Sequence, residues 1–134
     1  RSAKLVIGNG VKIIGEITKA DDVQIDGNAE VTMNAGNLVV GGTGDVKGTI
    51  TSNNIGVWGK LKGKITARET LTVQELGTVS GSIEYQNMQI KLGGKIRGKI
   101  KVSDKINKFS DYKKNDKKAE EILHLQDVLK DKNT

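Results

Sequence analysis

The 134-residue chain carries a formal net charge of +6, 17 glycines, no proline, no cysteine and only 3% aromatic residues. That length is one domain with room for a tail, and the composition excludes a disulfide framework, a thiolate metal centre and an ordinary core of packed rings. No run approaches the roughly 20 apolar residues of a membrane span, and no stretch reads as a signal peptide, although opening on Arg1 rather than Met is what is expected where a native N-terminal segment is missing.

Apolar alternation begins at once with Leu5 and Ile7, then meets the phrase Ile13-Ile14-Gly15-Glu16-Ile17. Val23 and Ile25 follow, and then Ala29-Glu30-Val31-Thr32-Met33, a copy of the phrase without its glycine. Leu38 and Val40 lead to Val46-Lys47-Gly48-Thr49-Ile50, and Ile55 and Val57 to Leu61-Lys62-Gly63-Lys64-Ile65. Leu71 and Val73 precede Val79-Ser80-Gly81-Ser82-Ile83, and Met88, Ile90 and Leu92 precede Ile96-Arg97-Gly98-Lys99-Ile100. The closing residue of each copy falls at 17, 33, 50, 65, 83 and 100, in steps of 16, 17, 15, 18 and 17.

Short runs that alternate apolar with polar residues have the period of a strand. A unit repeated this closely points to a solenoid. Such short strands are not stable alone; stacked in parallel at about 4.8 Å per rung, each inward residue is covered by its copy in the next coil. A coil of this length holds three short strands with tight corners, such as Asn34-Ala35-Gly36-Asn37 and Thr66-Ala67-Arg68-Glu69-Thr70. The prediction is an all-β chain, a parallel β-helix of about six short triangular coils over residues 4–102. The glycine of each phrase either leaves room in a narrow core or permits a bend. The uneven step from Ile50 to Ile55 and from Ile65 to Leu71 favours a right-handed helix over the strict six-residue period of left-handed ones.

The pattern stops near Ser103. Residues 103–118 are polar and lysine-rich, with Ile106, Phe109 and Tyr112 as their large apolar groups. Residues 119–130 place Ile122, Leu125 and Leu129 on one helical stripe, widened by Val128. An isolated helix this short is marginal in water, so residues 103–134 are expected to form a charged tail, disordered or with a short helix near 119–130.

Candidate chemistry is sparse. Gly41-Gly42-Thr43-Gly44-Asp45 suggests a phosphate loop, but the repeat phrase follows where a Lys-Ser/Thr pair and a helix are required, so it reads as a corner. The single histidine, His124, lies in the tail, which deprives the β-helical acyltransferase class of its usual base. Asp21-Asp22 and Asp26 suggest the acidic pair of a polysaccharide-cleaving β-helix, but six short coils give little groove for converging carboxylates, and Asp21-Asp22 reads as a corner. No catalytic, metal or cofactor residue is assigned, and the protein is expected not to be an enzyme. Alternation turns Lys60, Lys62 and Lys64 outward, together with Lys95, Arg97, Lys99 and Lys101, and Lys47 on the equivalent strand nearer the N-terminus. This basic face reads either as a solubilising surface or as an attraction to an acidic membrane or nucleic acid. The lack of interleaved aromatics weighs against nucleic acid. Trp58 is also turned outward, either covering a corner or making a lateral contact between protomers.

The strings Gly15-Glu16-Ile17, Val23-Gln24-Ile25-Asp26-Gly27, Val46-Lys47-Gly48-Thr49-Ile50, Leu61-Lys62-Gly63-Lys64-Ile65-Thr66-Ala67 and Val79-Ser80-Gly81-Ser82-Ile83 make residues 5–102 resemble a bactofilin, the bacterial polymer-forming cytoskeletal family. Val31 departs by standing where the family pattern has glycine. The resemblance implies a right-handed triangular β-helix that assembles end to end without nucleotide. It also implies flexible flanking tails, the N-terminal one contacting membrane, and a scaffolding role for cell-shape, peptidoglycan-remodelling or polar-localisation machinery. The expected location is cytoplasmic, at the inner face of the membrane. Uncapped solenoid ends independently favour self-association, through Leu5 and Ile7 at one end and Ile96, Ile100, Val102 and Phe109 at the other. A charge at Ile7 or Phe109 is therefore expected to yield monomers. The competing readings are a monomeric adaptor that binds a polyanion through the basic face, and an enzyme on a β-helix.

Overall fold

A computed structural model of the chain describes residues 3–103. They contain seven strands: β1 (Lys4–Ile7), β2 (Lys12–Ile25), β3 (Asn28–Val40), β4 (Asp45–Val57), β5 (Lys60–Val73), β6 (Thr78–Ile90) and β7 (Lys95–Val102). Each pairs in parallel with the next, so the sheet order is the chain order. A parallel ladder between consecutive strands leaves no crossover helix to accommodate. The chain therefore winds as a solenoid of about six turns, and the described residues contain no helix.

The periodicity predicts three separate strands per coil, whereas β2 to β6 run for 13 or 14 residues and bend through two corners without leaving the ladder. Only one corner breaks it, by turns of two residues (26–27 and 58–59) or four (8–11, 41–44, 74–77 and 91–94). The four-residue turns close with a backbone bond from fourth to first residue, as in Gly44 N to Gly41 O at 2.8 Å and Gly77 N to Gln74 O at 2.9 Å. A second corner carries the glycine of the repeat. At the third, the register shifts between Ile17 and Ala20, Ser52 and Asn54, and Ala67 and Thr70. The uneven coil length is absorbed at the first and third corners; the step from Val46 to Ile50 across the glycine is the same in every coil.

The glycine permits a bend rather than filling a gap in the core. Gly63 and Gly81 have φ of 130° and 122°, and a Cβ on either would fall on the carbonyl oxygen of the glycine one rung earlier, Gly48 and Gly63 respectively. With that positive φ, only a residue without Cβ fits while the rungs stay in hydrogen-bonding contact. Val31 occupies the same register position, between Gly15 and Gly48. Its side chain is buried and the register runs through it unbroken.

Three sides result, each with one inward column per alternate residue. Val23, Leu38, Ile55 and Leu71 stack on the first side beside Ile25, Val40, Val57 and Val73. Ala29, Val46, Leu61 and Val79 stack on the second, and Ile17, Met33, Ile50, Ile65 and Ile83 on the third. Near the third corner the inward position narrows to Ala35, Ser52 and Ala67. Ser52 is fully buried and donates its hydroxyl to the carbonyls of Gly36 at 3.0 Å and Asn54 at 3.3 Å, which meets the requirement that a buried polar group be paired.

Candidate functional site

The ends of the solenoid follow directly from the column architecture. An inward residue is dry only when a rung covers it. Ile83 is 1% exposed, whereas Ile100, its register partner one rung later, is 45% exposed, and Val102 is 46% exposed. Ile90, in the last rung of the first side, is 49% exposed, and Ile96 is partly buried. Among the described residues β7 is the last strand of the sheet. The C-terminal rung thus presents a row of apolar side chains beside a strand edge, a combination that favours pairing with another chain.

The N-terminal end is different. β1 covers only Asp22–Ile25 of β2, so the stretch from Lys12 to Ile17 forms the outer edge there. Leu5 and Ile13 are half-buried, but Ile7 is 4% and Ile17 is 9% exposed. Ile7 belongs to the core of its own coil; a charge at Ile7 would disrupt folding before it informed on assembly. Gly15 marks the open end more clearly, since a Cβ placed there meets nothing within 4 Å, while at Gly48, Gly63, Gly81 and Gly98 it meets the preceding rung. Phe109, the tail stripe around Leu125 and His124 lie outside the described residues.

The cations expected on one face flank the glycine corner and so occupy two sides. Lys47, Lys62, Ser80 and Arg97 are successive register partners on the second side, as are Lys60, Thr78 and Lys95. Lys64, Ser82 and Lys99 stack across the corner on the third side, where Lys101 partners Glu84. All of these cations are exposed. The rung at Ser80 and Ser82 separates the charges of β5 from those of β7, which relieves repulsion that stacked like charges would otherwise incur. Trp58 lies in a two-residue turn, 43% exposed, in a notch with Thr43, Asp45, Lys60 and Leu76. The stretch from Gly41 to Gly44 is a turn that leads into β4, without the helix a phosphate loop needs.

Three features escape the sequence reading. Leu92, read there as an inward strand residue, is at a turn and 91% exposed, and Leu76 is at another, 80% exposed. The rung before β7 ends at Ile90, and the four-residue turn displaces Leu92 from the alternation. Arg68 donates to Asn53 Oδ1 at 3.0 Å and Asn34 Oδ1 at 2.8 Å, joining three coils at the third corner. An amide ladder runs beside it on the first side, Asn54 donating to Asn37 at 3.1 Å and Asn37 to Asp22 at 2.9 Å. Recurrence of Asn at 37 and 54, register partners one coil apart, was the available signal.

The class of fold is thus a parallel β-solenoid whose last described rung leaves residues of its core columns half exposed. The family model described as "Bactofilin: Polymer-forming cytoskeletal" matches residues 5–101, and the chain belongs to the bactofilin family. It is 28% identical over 99 residues to bactofilin BacO of Myxococcus xanthus strain DK1622, covering 73% of this chain and 79% of that protein. It is likewise 28% identical over 100 residues to bactofilin BacP of the same organism, covering 74% of this chain but 42% of that protein. No solved structure matches the chain significantly. The family is a structural cytoskeletal one, and no helix among the described residues is long and apolar enough to cross a membrane.

Proposed function

We propose that the protein is a cytoskeletal scaffold that polymerises end to end through its terminal rungs, without nucleotide, at the inner face of the cytoplasmic membrane. There it positions cell-shape, cell-wall-remodelling or polar-localised factors. The observation that carries this reading is the contrast within one column between Ile83, covered, and Ile100, uncovered. A further rung over Ile90, Ile100 and Val102 would cover what they still expose, about half of each side chain, so the gain is about 0.8–1.5 kcal/mol apiece, half of the value for full burial. Membership of a polymer-forming family supports the same reading.

Ile100→Asp together with Val102→Asp tests it. Both side chains are already half in water, so the fold should survive, read as an unchanged far-ultraviolet spectrum. Negative-stain microscopy and light scattering should show filaments for the parent and short species for the variant. Filaments of parental length from a folded variant would refute assembly through this rung. A parent that remains monomeric at all ionic strengths would instead favour an adaptor acting through the cations of β5 and β7.

A further inference from the structure

Leu76 is expensive twice over. It is the third residue of the turn closed by Gly77 N and Gln74 O, with φ of 66°. Two other four-residue turns on the same edge place glycine at this position, Gly10 with φ of 91° and Gly93 with φ of 84°, as the left-handed region demands. A leucine there is uncommon, and this one exposes 80% of its side chain. Neither cost serves the core, and backbone strain retained at an exposed site points to function.

Leu76 is not isolated. It shares a notch with Trp58 and Lys60 on the rung before it. Toward the next rung, a Cβ built on Gly93 would lie 3.2 Å from Leu76 Cδ2, beside Leu92. Trp58 and Leu76 therefore share one notch, and Leu92 stands at the next turn of the same edge. The adjoining second side presents Lys60, Lys62, Lys95 and Arg97, all exposed. Residues 60–102 contain nine Lys/Arg against three Asp/Glu, a net +6, whereas residues 4–59 contain four against six, a net −2.

We propose that this edge, in the C-terminal half of the solenoid, is the docking surface for an anionic lipid bilayer. Trp58, Leu76 and Leu92 enter the headgroup region while the four cations contact acidic headgroups. Leu76 and Leu92 stand at turns with 80% and 91% of their surface in solvent, so they suit a soft, flat surface better than a complementary protein pocket. Tryptophan favours the membrane interface, and a row of Lys and Arg is drawn to anionic headgroups. The placement deepens the scaffold reading and rests on it for one consequence: in a polymer the straight edge recurs in every protomer, so weak contacts combine into strong binding.

The test is co-sedimentation of the whole chain with phosphatidylcholine vesicles, with and without phosphatidylglycerol, at low and high salt. The parent should bind only the anionic vesicles and release them as salt rises. Trp58, the single tryptophan, should shift its emission to the blue on binding. Leu76→Gly with Leu92→Gln should lower the bound fraction about tenfold, as expected for two withdrawn apolar anchors, while filaments persist and thermal stability is kept or improved. Equal binding to neutral vesicles, no binding by intact filaments, or full binding by the double variant would each overturn the proposal. So would a double variant that loses lateral filament bundling while the parent ignores vesicles, which would make the edge a contact between copies. Failure of the polymer itself reads out separately, as absence of filaments in the parent.

Discussion

Alanine at Gly81 and alanine at Gly15 should have opposite outcomes, although both occupy the same position of the repeat. At Gly81 the φ of 122° is itself costly for any residue with a Cβ, by about 1–2 kcal/mol. The new methyl would also fall on the carbonyl oxygen of Gly63, and backbone cannot step aside as a flexible side chain can. Relief requires the rungs to separate locally or the corner to open, so the total should reach about 3 kcal/mol or more. At about 4–8 °C per kcal/mol for a domain of this size, the melting point should fall by at least about 12 °C. At Gly15 the φ of 150° lies near the edge of the unfavourable region, and a Cβ meets nothing within 4 Å. The remaining strain is partly offset by the stiffer unfolded chain, worth about 0.4–1 kcal/mol, so the shift should stay within about 5 °C. Circular-dichroism melts of both variants and the parent, at one protein concentration, provide the comparison. If Gly81→Ala melts with the parent, or if Gly15→Ala falls as far as Gly81→Ala, contact with the preceding rung is not the reason for glycine at this corner.

The same geometry makes Gly15→Val an assembly probe: the folded variant should lose filaments by microscopy if a second chain stacks on the N-terminal rung, because the added side chain occupies the space that such a rung would fill. Ser52→Ala should cost within about 1.5 kcal/mol by thermal melting, the net worth of a hydrogen bond, since Ala35 and Ala67 fill the neighbouring positions of its column. Ser52→Val should cost about 1–3 kcal/mol from overpacking the same narrow corner. Arg68→Ala should lower stability by about 1–2 kcal/mol in chemical denaturation through loss of its bonds to Asn34 and Asn53, with filament formation unchanged.

Much of this molecule was legible because a solenoid writes its tertiary contacts into its sequence as a repeat. The alternation of Leu61 and Ile65, or of Val79 and Ile83, identifies strands. Their recurrence at nearly constant spacing identifies the neighbour each will cover, which in an ordinary fold is a long-range question. What escaped were deviations from the repeat. Leu92 continues the alternation of Met88 and Ile90 on paper, but a four-residue turn begins at Lys91 and sends it to solvent. Lys62 and Lys64 have the spacing of one face, yet the bend at Gly63 puts them on adjacent sides.

By itself, then, the sequence determined the fold class, the parallel stacking and the inward columns, since each depends on local period and on copies of the same period. Tertiary structure alone decided the corners and the ends. It showed that glycine is required at 48, 63, 81 and 98 because the preceding rung's carbonyl occupies the place of a Cβ, a contact between residues a whole coil apart. It also separated Ile83, covered by β7, from its register partner Ile100, over which no rung lies among the described residues. Ile83 and Ile100, each closing the same phrase in successive coils, differ there in what lies above them, and burial, unlike periodicity, is a property of the neighbour.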